Sequence, residues 1–291
     1  MKIVSPKSIN EAIFDVLCQA ICKYLSDFCE CNKSQKKTVC VKNFQIGLQN
    51  YLNNVWGPKW EIEYKKPHCP FNDRVDIFYK SPRSGYNWII EIDASRADQV
   101  AKKAFSRFSL FGSSSKTTPF FYVAIVYPGT DNMSINEVIK YSRYGHAIAK
   151  KMNKNNEWRT IIIDCKHNCV KVINFNNLKF MVNGNGAFRM GSAVEKAIKE
   201  YFKQSKNRSY SLLSKYLQAY NGNHNGLQTI ISEKPLTKNP IMMQDGTGSK
   251  FYLTTQWSFL GESCNFDEIV NFFKKYNIII EPVWQVPCDC L

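Results

Sequence analysis

The run PFFYVAIVYP (119–128) has no charged side chain and no alternation of polar with apolar residues. A strand of that kind is buried on both faces, so the sheet that holds it must have helices packed against it. The flanking segments have the right periodicities. Residues 8–29 read as an amphipathic helix. The polar, basic link CNKSQKKTVC follows, then a second helix over 41–55 with Phe44, Leu48, Tyr51 and Leu52 at helical spacing, stopped by Gly57-Pro58. WEIEYKK (60–66), RVDIFYK (74–80) and WIIEID (88–93) read as strands, the last two joined by the Ser-, Pro- and Gly-rich SPRSGYN. A helix over 95–110 presents Ala97, Ala101, Ala104, Phe105 and Phe108 on one side. After the apolar strand come a helix over 135–152 and the strand TIIID (160–164). The order α-β-β-β-α-β-α-β specifies an α/β (α+β) fold with a mixed central sheet flanked by helices.

NGNGAF (183–188) reads as a boundary, so residues 1–183 are expected to form the core with its N-terminal helices and 184–291 a smaller C-terminal α+β unit. That unit would hold helices near 191–204, 209–220 and 266–276 and strands near 251–257 and 277–284.

Charge narrows the class of partner. The net charge is +15, and residues 1–183 carry 27 Lys and Arg against 15 Asp and Glu, whereas 184–291 carry 12 against 9. An excess this large calls for an anionic partner, nucleic acid or a membrane surface. No apolar stretch approaches the roughly 18 residues of a membrane span. The first 25 residues read as an amphipathic helix without a small-residue cleavage site. A cytoplasmic, non-membrane protein is therefore expected. The 11 cysteines are then expected to be free or metal-bound rather than paired. Cys18, Cys22, Cys29, Cys31 and Cys40 form the one dense cluster. Their spacing departs from the paired knuckles of common zinc modules, and Cys18 and Cys22 suit a buried helix face equally well.

The strand WIIEID carries two acids in an otherwise apolar run. Alternation places Glu91 and Asp93 on one face, where like charges resist joint ionisation unless a cation stands between them. If SPRSGYN makes a hairpin, Asp76 joins them from the neighbouring strand. Three converging carboxylates suit Mg²⁺, with Mn²⁺ as substitute: such an ion takes one or two carboxylates and keeps waters for a phosphate substrate.

An acid on one strand, a hairpin, then acid-x-residue on the next strand and a helix resembles the PD-(D/E)xK nuclease superfamily, best known from type II restriction endonucleases. The resemblance covers about residues 41–165. It implies a restriction-endonuclease-like core, with Asp76 and Glu91 as metal-binding acids and the backbone carbonyl of Ile92 completing the shell. The family's lysine position holds Asp93 here, which would serve as general base or additional ligand. Alternatively the cationic role has moved to the following helix, where Lys103 is a better candidate than the outward-pointing Lys102.

For DNA contact, Arg96 and Gln99 on that helix, Lys203, Lys206 and Arg208 in KQSKNRSYSLLSKY, and Gln256 in TTQW are candidates, with amide groups suited to adenine. The basic stretches 33–42 and 150–159 are further candidates for tracking phosphates. Glu11 could approach the acids, but a solvated helix face suits it better. His68, His146, Cys165, His167 and Cys169 read as incidental or structural. The expectation is a Mg²⁺-dependent type II site-specific deoxyribonuclease that cuts double-stranded DNA as a homodimer, the C-terminal unit adding DNA contacts or the dimer interface. Two rivals stand beside it: a non-catalytic nucleic-acid-binding module, and a repair or phage-defence nuclease selecting DNA structure or modification.

Overall fold

The computed structural model describes residues 6–57, 59–67, 73–82, 85–93, 96–111, 118–127, 135–175, 177–219, 231–235, 241–253 and 266–284. The chain divides into two compact units, one of residues 1–175 with 284–291 and one of residues 176–283.

The first unit is mixed α+β. Two helices, α1 (Pro6–Ser34) and α2 (Lys37–Trp56), precede strands β1 (Glu61–Tyr64), β2 (Val75–Lys80) and β3 (Asn87–Asp93). Then follow α3 (Asp98–Phe111), β4 (Phe120–Val126), α4 (Ile135–Met152), β5 (Glu157–Asp164) and β6 (Cys169–Ile173). The six strands lie in the sheet in chain order. β3, β4 and β5 are parallel neighbours; β1, β2 and β6 pair antiparallel. Every residue of β4 is buried, as its composition demands.

Strand alternation sorts the side chains to two faces. Ile77, Tyr79, Trp88, Ile90, Ile92, Val123 and Ile125 share a core with Ile13, Leu17 and Ile21 of α1 and Phe44 and Leu48 of α2. The Trp88 indole N–H donates to Asn10 Oδ1 at 3.1 Å, fixing α1 on that face. The residues in between point the other way: Phe78 lies against Phe111 of α3, and Tyr122 against Phe108 of α3 and Trp158 of β5. A Cβ on Gly145 would stand 2.3 Å from the Trp158 ring, so this glycine is what lets α4 approach β5 so closely. Phe105 departs from expectation. It is 60% exposed, because Val100, Ala104, Arg107 and Phe108 form the buried side of α3.

Two further expectations are corrected. Cys29 is joined to Cys165 and Cys31 to Cys40 in disulfides, with Cα–Cα separations of 5.2 and 5.7 Å, and Cys22 is also disulfide-bonded. The fold brings the end of α1 beside the residue that follows β5 and folds the α1–α2 link back on itself, distances at which a bridge closes. Their sulfurs are therefore neither free nor available to zinc; Cys18 is a buried free thiol. Among the described residues no helix is long and apolar enough to cross a membrane.

The second correction is the boundary. The division falls at 175/176, not 183/184. Asn183 and Gly184 have φ of 52° and 71° and turn β7 (Phe180–Val182) into β8 (Asn185–Phe188). Asn-Gly is the pair best suited to positive φ, so the stretch is a hairpin within the second unit. That unit continues with α5 (Met190–Lys203), α6 (Tyr210–Ala219), β9 (Ile231–Ser232), β10 (Ile241–Gln244), β11 (Lys250–Leu253), α7 (Phe266–Lys274) and β12 (Ile280–Pro282). It holds two three-stranded sheets, ordered β10-β11-β9 and β12-β7-β8, around a core containing Tyr201, Phe251 and Phe273.

Candidate active site

β2 and β3 pair with Ile77 opposite Ile90. Asp76 and Glu91 are the next residues outward on the two strands, and Asp93 lies two further along β3. Alternation turns all three to the α3 side, away from Ile77, Ile90 and Ile92. The pairing of β2 with β3 ends at Ile77 and Ile90, and the Ile92 N–H just beyond it donates to Asp76 Oδ2 at 2.7 Å. The Ile92 carbonyl leaves β3 on the same edge as its N–H. From the opposite side Gln45 of α2 donates to the backbone carbonyl of Asp76.

Lys103 of α3 reaches all three acids. Its Nζ lies 2.9 Å from Asp93 Oδ1, 3.1 Å from Glu91 Oε2 and 3.4 Å from Asp76 Oδ2. One helical turn later, Arg107 donates through Nε to Glu91 Oε1 and through Nη2 to the Arg74 carbonyl, and pairs through Nη1 with Asp73. Asp73 also accepts from the Ser106 hydroxyl. The spacing of four residues puts both cations on one helix face, directed at the strand ends. Lys102, the neighbouring residue, points outward to Asp98 at 2.7 Å.

Burial sets the electrostatics. Glu91 is fully buried and Asp93 nearly so, whereas the side chains of Asp76 and Lys103 are 23% and 27% exposed. Burial, reinforced by the Asp76 charge, pushes the Glu91 carboxyl up to about 8, although Lys103 and Arg107 oppose the rise. Burial likewise raises Asp93, against the pull of Lys103. For Lys103 burial favours the neutral amine, but Glu91, Asp93 and Asp76 together outweigh it and hold the ammonium above its ordinary range. Burial also tends to raise Asp73, but the bonds from Ser106 and Arg107 prevail and hold it below the usual carboxylate range.

Three buried polar atoms face this cluster or border it without a hydrogen-bond partner: Glu91 Oε2, Asp93 Oδ2 and the Tyr122 hydroxyl oxygen. Glu91 Oε2 is close enough to Lys103, at 3.1 Å, for an ion pair but lacks hydrogen-bond geometry. Unsatisfied carboxylate oxygens in a dry site are costly unless a cation or a donor reaches them. Among the described residues no three acidic, imidazole or thiol groups already form a metal cage. Mg²⁺ does not need one: one or two carboxylates and a carbonyl suffice when water and phosphate fill the remaining positions. Asp76, Glu91 and the Ile92 carbonyl are all hard oxygen donors and would be the groups to hold it.

The other candidates are dispersed. Arg96 is exposed and bound to Asp98 at 2.8 Å, and Gln99 lies half-buried on the first turn of α3. Glu11 pairs with Arg159 at 2.6 Å. His146 is buried in α4, and burial depresses its pKa to about 4. His167 bonds Asp164. In the second unit Lys203 pairs with Glu200 and Lys206 is exposed. Arg208 donates to the Tyr201 carbonyl and stacks 4.2 and 4.7 Å from the Tyr201 and Tyr276 rings, a structural engagement rather than a free DNA contact. Gln256 and His68 lie outside the described residues.

Sequence reasoning missed Arg107, Asp73 and Tyr122. The first had a signal: a cation four residues after Lys103 and beside Phe108, on the side of α3 that must pack against the sheet. No protein-family model, no curated protein and no solved structure matches the chain.

Proposed function

We propose that this protein is a Mg²⁺-dependent endonuclease that hydrolyses phosphodiester bonds of double-stranded DNA, in the manner of a type II restriction enzyme acting as a homodimer. The observation that carries the reading is Lys103, whose ammonium meets carboxylates from two adjacent strands at their open end. An invariant need of phosphodiester hydrolysis is positive charge beside an activated water. When bound, the divalent ion supplies a polarised water and screens the phosphate.

The protein's own groups take the remaining roles. Asp76, Glu91 and the Ile92 carbonyl hold the ion. Arg107 orients Glu91 and keeps it from drifting as the charge around it changes. Asp93, more basic than an ordinary carboxylate because it is buried, accepts the proton of the attacking water. Lys103, a donor with 27% of its side chain exposed, stabilises charge building on the phosphate. A duplex has two strands and each site cuts one, hence the second copy.

One observation favours a different reading. Lys103 and Arg107 already neutralise much of the acidic cluster, as a purely structural ion-pair network in a non-catalytic DNA-binding module would. Incubating the protein with unmethylated plasmid and Mg²⁺ separates the readings. Discrete fragments support a site-specific endonuclease, and a smear supports a nuclease selecting DNA structure or damage. Intact plasmid, with DNA still bound and with Mn²⁺ equally ineffective, rejects hydrolysis in favour of the module.

A further inference from the structure

A cleft of about 540 Å³ opens between the start of α2 and the ends of β1 and β2. Lys37, Lys42 and Arg74 line it, together with Thr38 and Glu63, and Asp76 forms part of its wall. Asp76 belongs to the acidic cluster as well, so the cleft and the candidate active site share a residue.

The cations of this cleft differ from those around the acids. Lys103 and Arg107 pair with carboxylates of the cluster, and Lys102 beside them pairs with Asp98. Among the described residues Lys37, Lys42 and Arg74 have no such partner. Lys37 has only the Tyr127 ring, 5.7 Å away, and burial lowers its pKa. The one acid in the cleft wall besides Asp76, Glu63, is engaged by Gln45 at 3.3 Å. The wall thus carries three cations, none in an ion pair among the described residues, against two carboxylates, Glu63 and Asp76, the latter shared with Lys103; the excess of positive charge favours an anionic ligand. The size is within that of ligand clefts, about 300–1,000 Å³.

We infer that Lys37, Lys42 and Arg74 form a phosphate track that holds the backbone of one DNA strand beside Asp76. The inference rests on the nuclease reading for its orientation: the track delivers the adjoining phosphodiester to the acids. Lys and Arg on a backbone carry no sequence information, so the track positions rather than selects. A hydroxyl at Thr38 adds a neutral donor of the sort that phosphate sites use.

The test is binding without cleavage. Full-length protein is titrated into a fluorescein-labelled DNA duplex in EDTA, and anisotropy is followed at several salt concentrations. The triple variant Lys37→Ala, Lys42→Ala, Arg74→Ala should bind at least about tenfold more weakly and reduce the slope of log K against log[salt] by about 2–3. The charge-preserving triple Lys37→Arg, Lys42→Arg, Arg74→Lys should restore most of the binding, and the alanine triple should keep the wild-type circular dichroism spectrum, which separates lost charge from lost fold. Removing equal charge from exposed positions elsewhere, Lys196→Ala, Lys199→Ala, Lys274→Ala, should leave affinity within about twofold of wild type. If the cleft triple binds like wild type while wild type cleaves plasmid, the track is wrong and the nuclease reading stands. If wild type binds through the cleft yet cuts nothing with Mg²⁺ or Mn²⁺, the track stands and the nuclease reading falls. If wild type binds no DNA, the track is overturned.

Discussion

The Ile92 N–H donates to Asp76 Oδ2 at 2.7 Å, and that one bond ties the outermost acid of β2 to the strand that carries the other two. It fixes where the Asp76 carboxylate sits while leaving its second oxygen uncommitted to the backbone. The same residue is thus a strand-end cap and the most exposed member of the acidic cluster.

Asp76→Asn keeps an oxygen able to accept from Ile92 but removes the negative charge. We expect its stability to stay within about 1 kcal/mol of wild type, while plasmid cleavage falls at least about a hundredfold, roughly 2.7 kcal/mol of transition-state stabilisation. Asp76→Ala should lose activity equally and cost a further 1–2 kcal/mol or so in urea denaturation, because the Ile92 N–H is orphaned. Normal cutting by Asp76→Asn would remove this residue from the chemistry.

Lys103→Met retains length and packing but leaves buried acids without their shared ammonium. Removing one partner of a buried ion pair costs about 3–5 kcal/mol. We expect the lower end near pH 7, since Glu91 already holds a proton there and buried Asp93 can take one up in answer. The loss should shrink toward pH 5, as Asp93, raised by burial, takes up its proton. Urea midpoints at both pH values measure it; a penalty independent of pH would contradict an electrostatic role for Lys103.

Glu91 makes the metal-free protein less stable as pH rises. Its folded pKa of about 8 lies above the ordinary 4.5, so between those values the native state holds a proton that the unfolded chain has released. The unfolded state then binds fewer protons, and stability falls with increasing pH across that window. Below it both states are protonated and this contribution is fully present. Glu91→Gln should flatten the decline, as read from unfolding free energies in EDTA across the range. A wild type whose stability climbs through the same window, with Glu91→Gln unchanged, would show that Glu91 is ionised in the fold.

The Cys29–Cys165 bridge spans 136 residues, and Cys31–Cys40 spans 9. Peptide mapping without reductant should recover both linked pairs. In the loop-closure picture a bridge of this span stabilises by about 5 kcal/mol through the unfolded state. Cys29→Ala with Cys165→Ala should therefore lower the melting temperature, and reductant should lower that of wild type by more than that of a variant lacking both bridges, which keeps the Cys22 disulfide. Recovery of these cysteines as free thiols from protein prepared without reductant would contradict the pairing.

Much of the first unit was legible in one dimension. β4 has no face that tolerates water, the acids of β3 sit two apart, and the hairpin spacing brings Asp76 opposite Glu91. These are local regularities, set by strand alternation and turn chemistry, and they determined the mixed sheet, its flanking helices and the convergence of three carboxylates. What lies beyond local periodicity needed coordinates. Whether a helix cation reaches the acids depends on how α3 rotates against the sheet, and that rotation put Arg107 inside and Phe105 outside. The pairing of Cys29 with Cys165 depends on two chain segments far apart in sequence meeting at the end of β5, which no spacing rule encodes. Asn183-Gly184 announced a tight turn; that the turn joins two strands of one sheet instead of two domains was decided by β12, which returns from the far end of the chain to pair with β7. Sequence specifies which residues want burial and which bends are possible; only packing in three dimensions decides which partner each one meets.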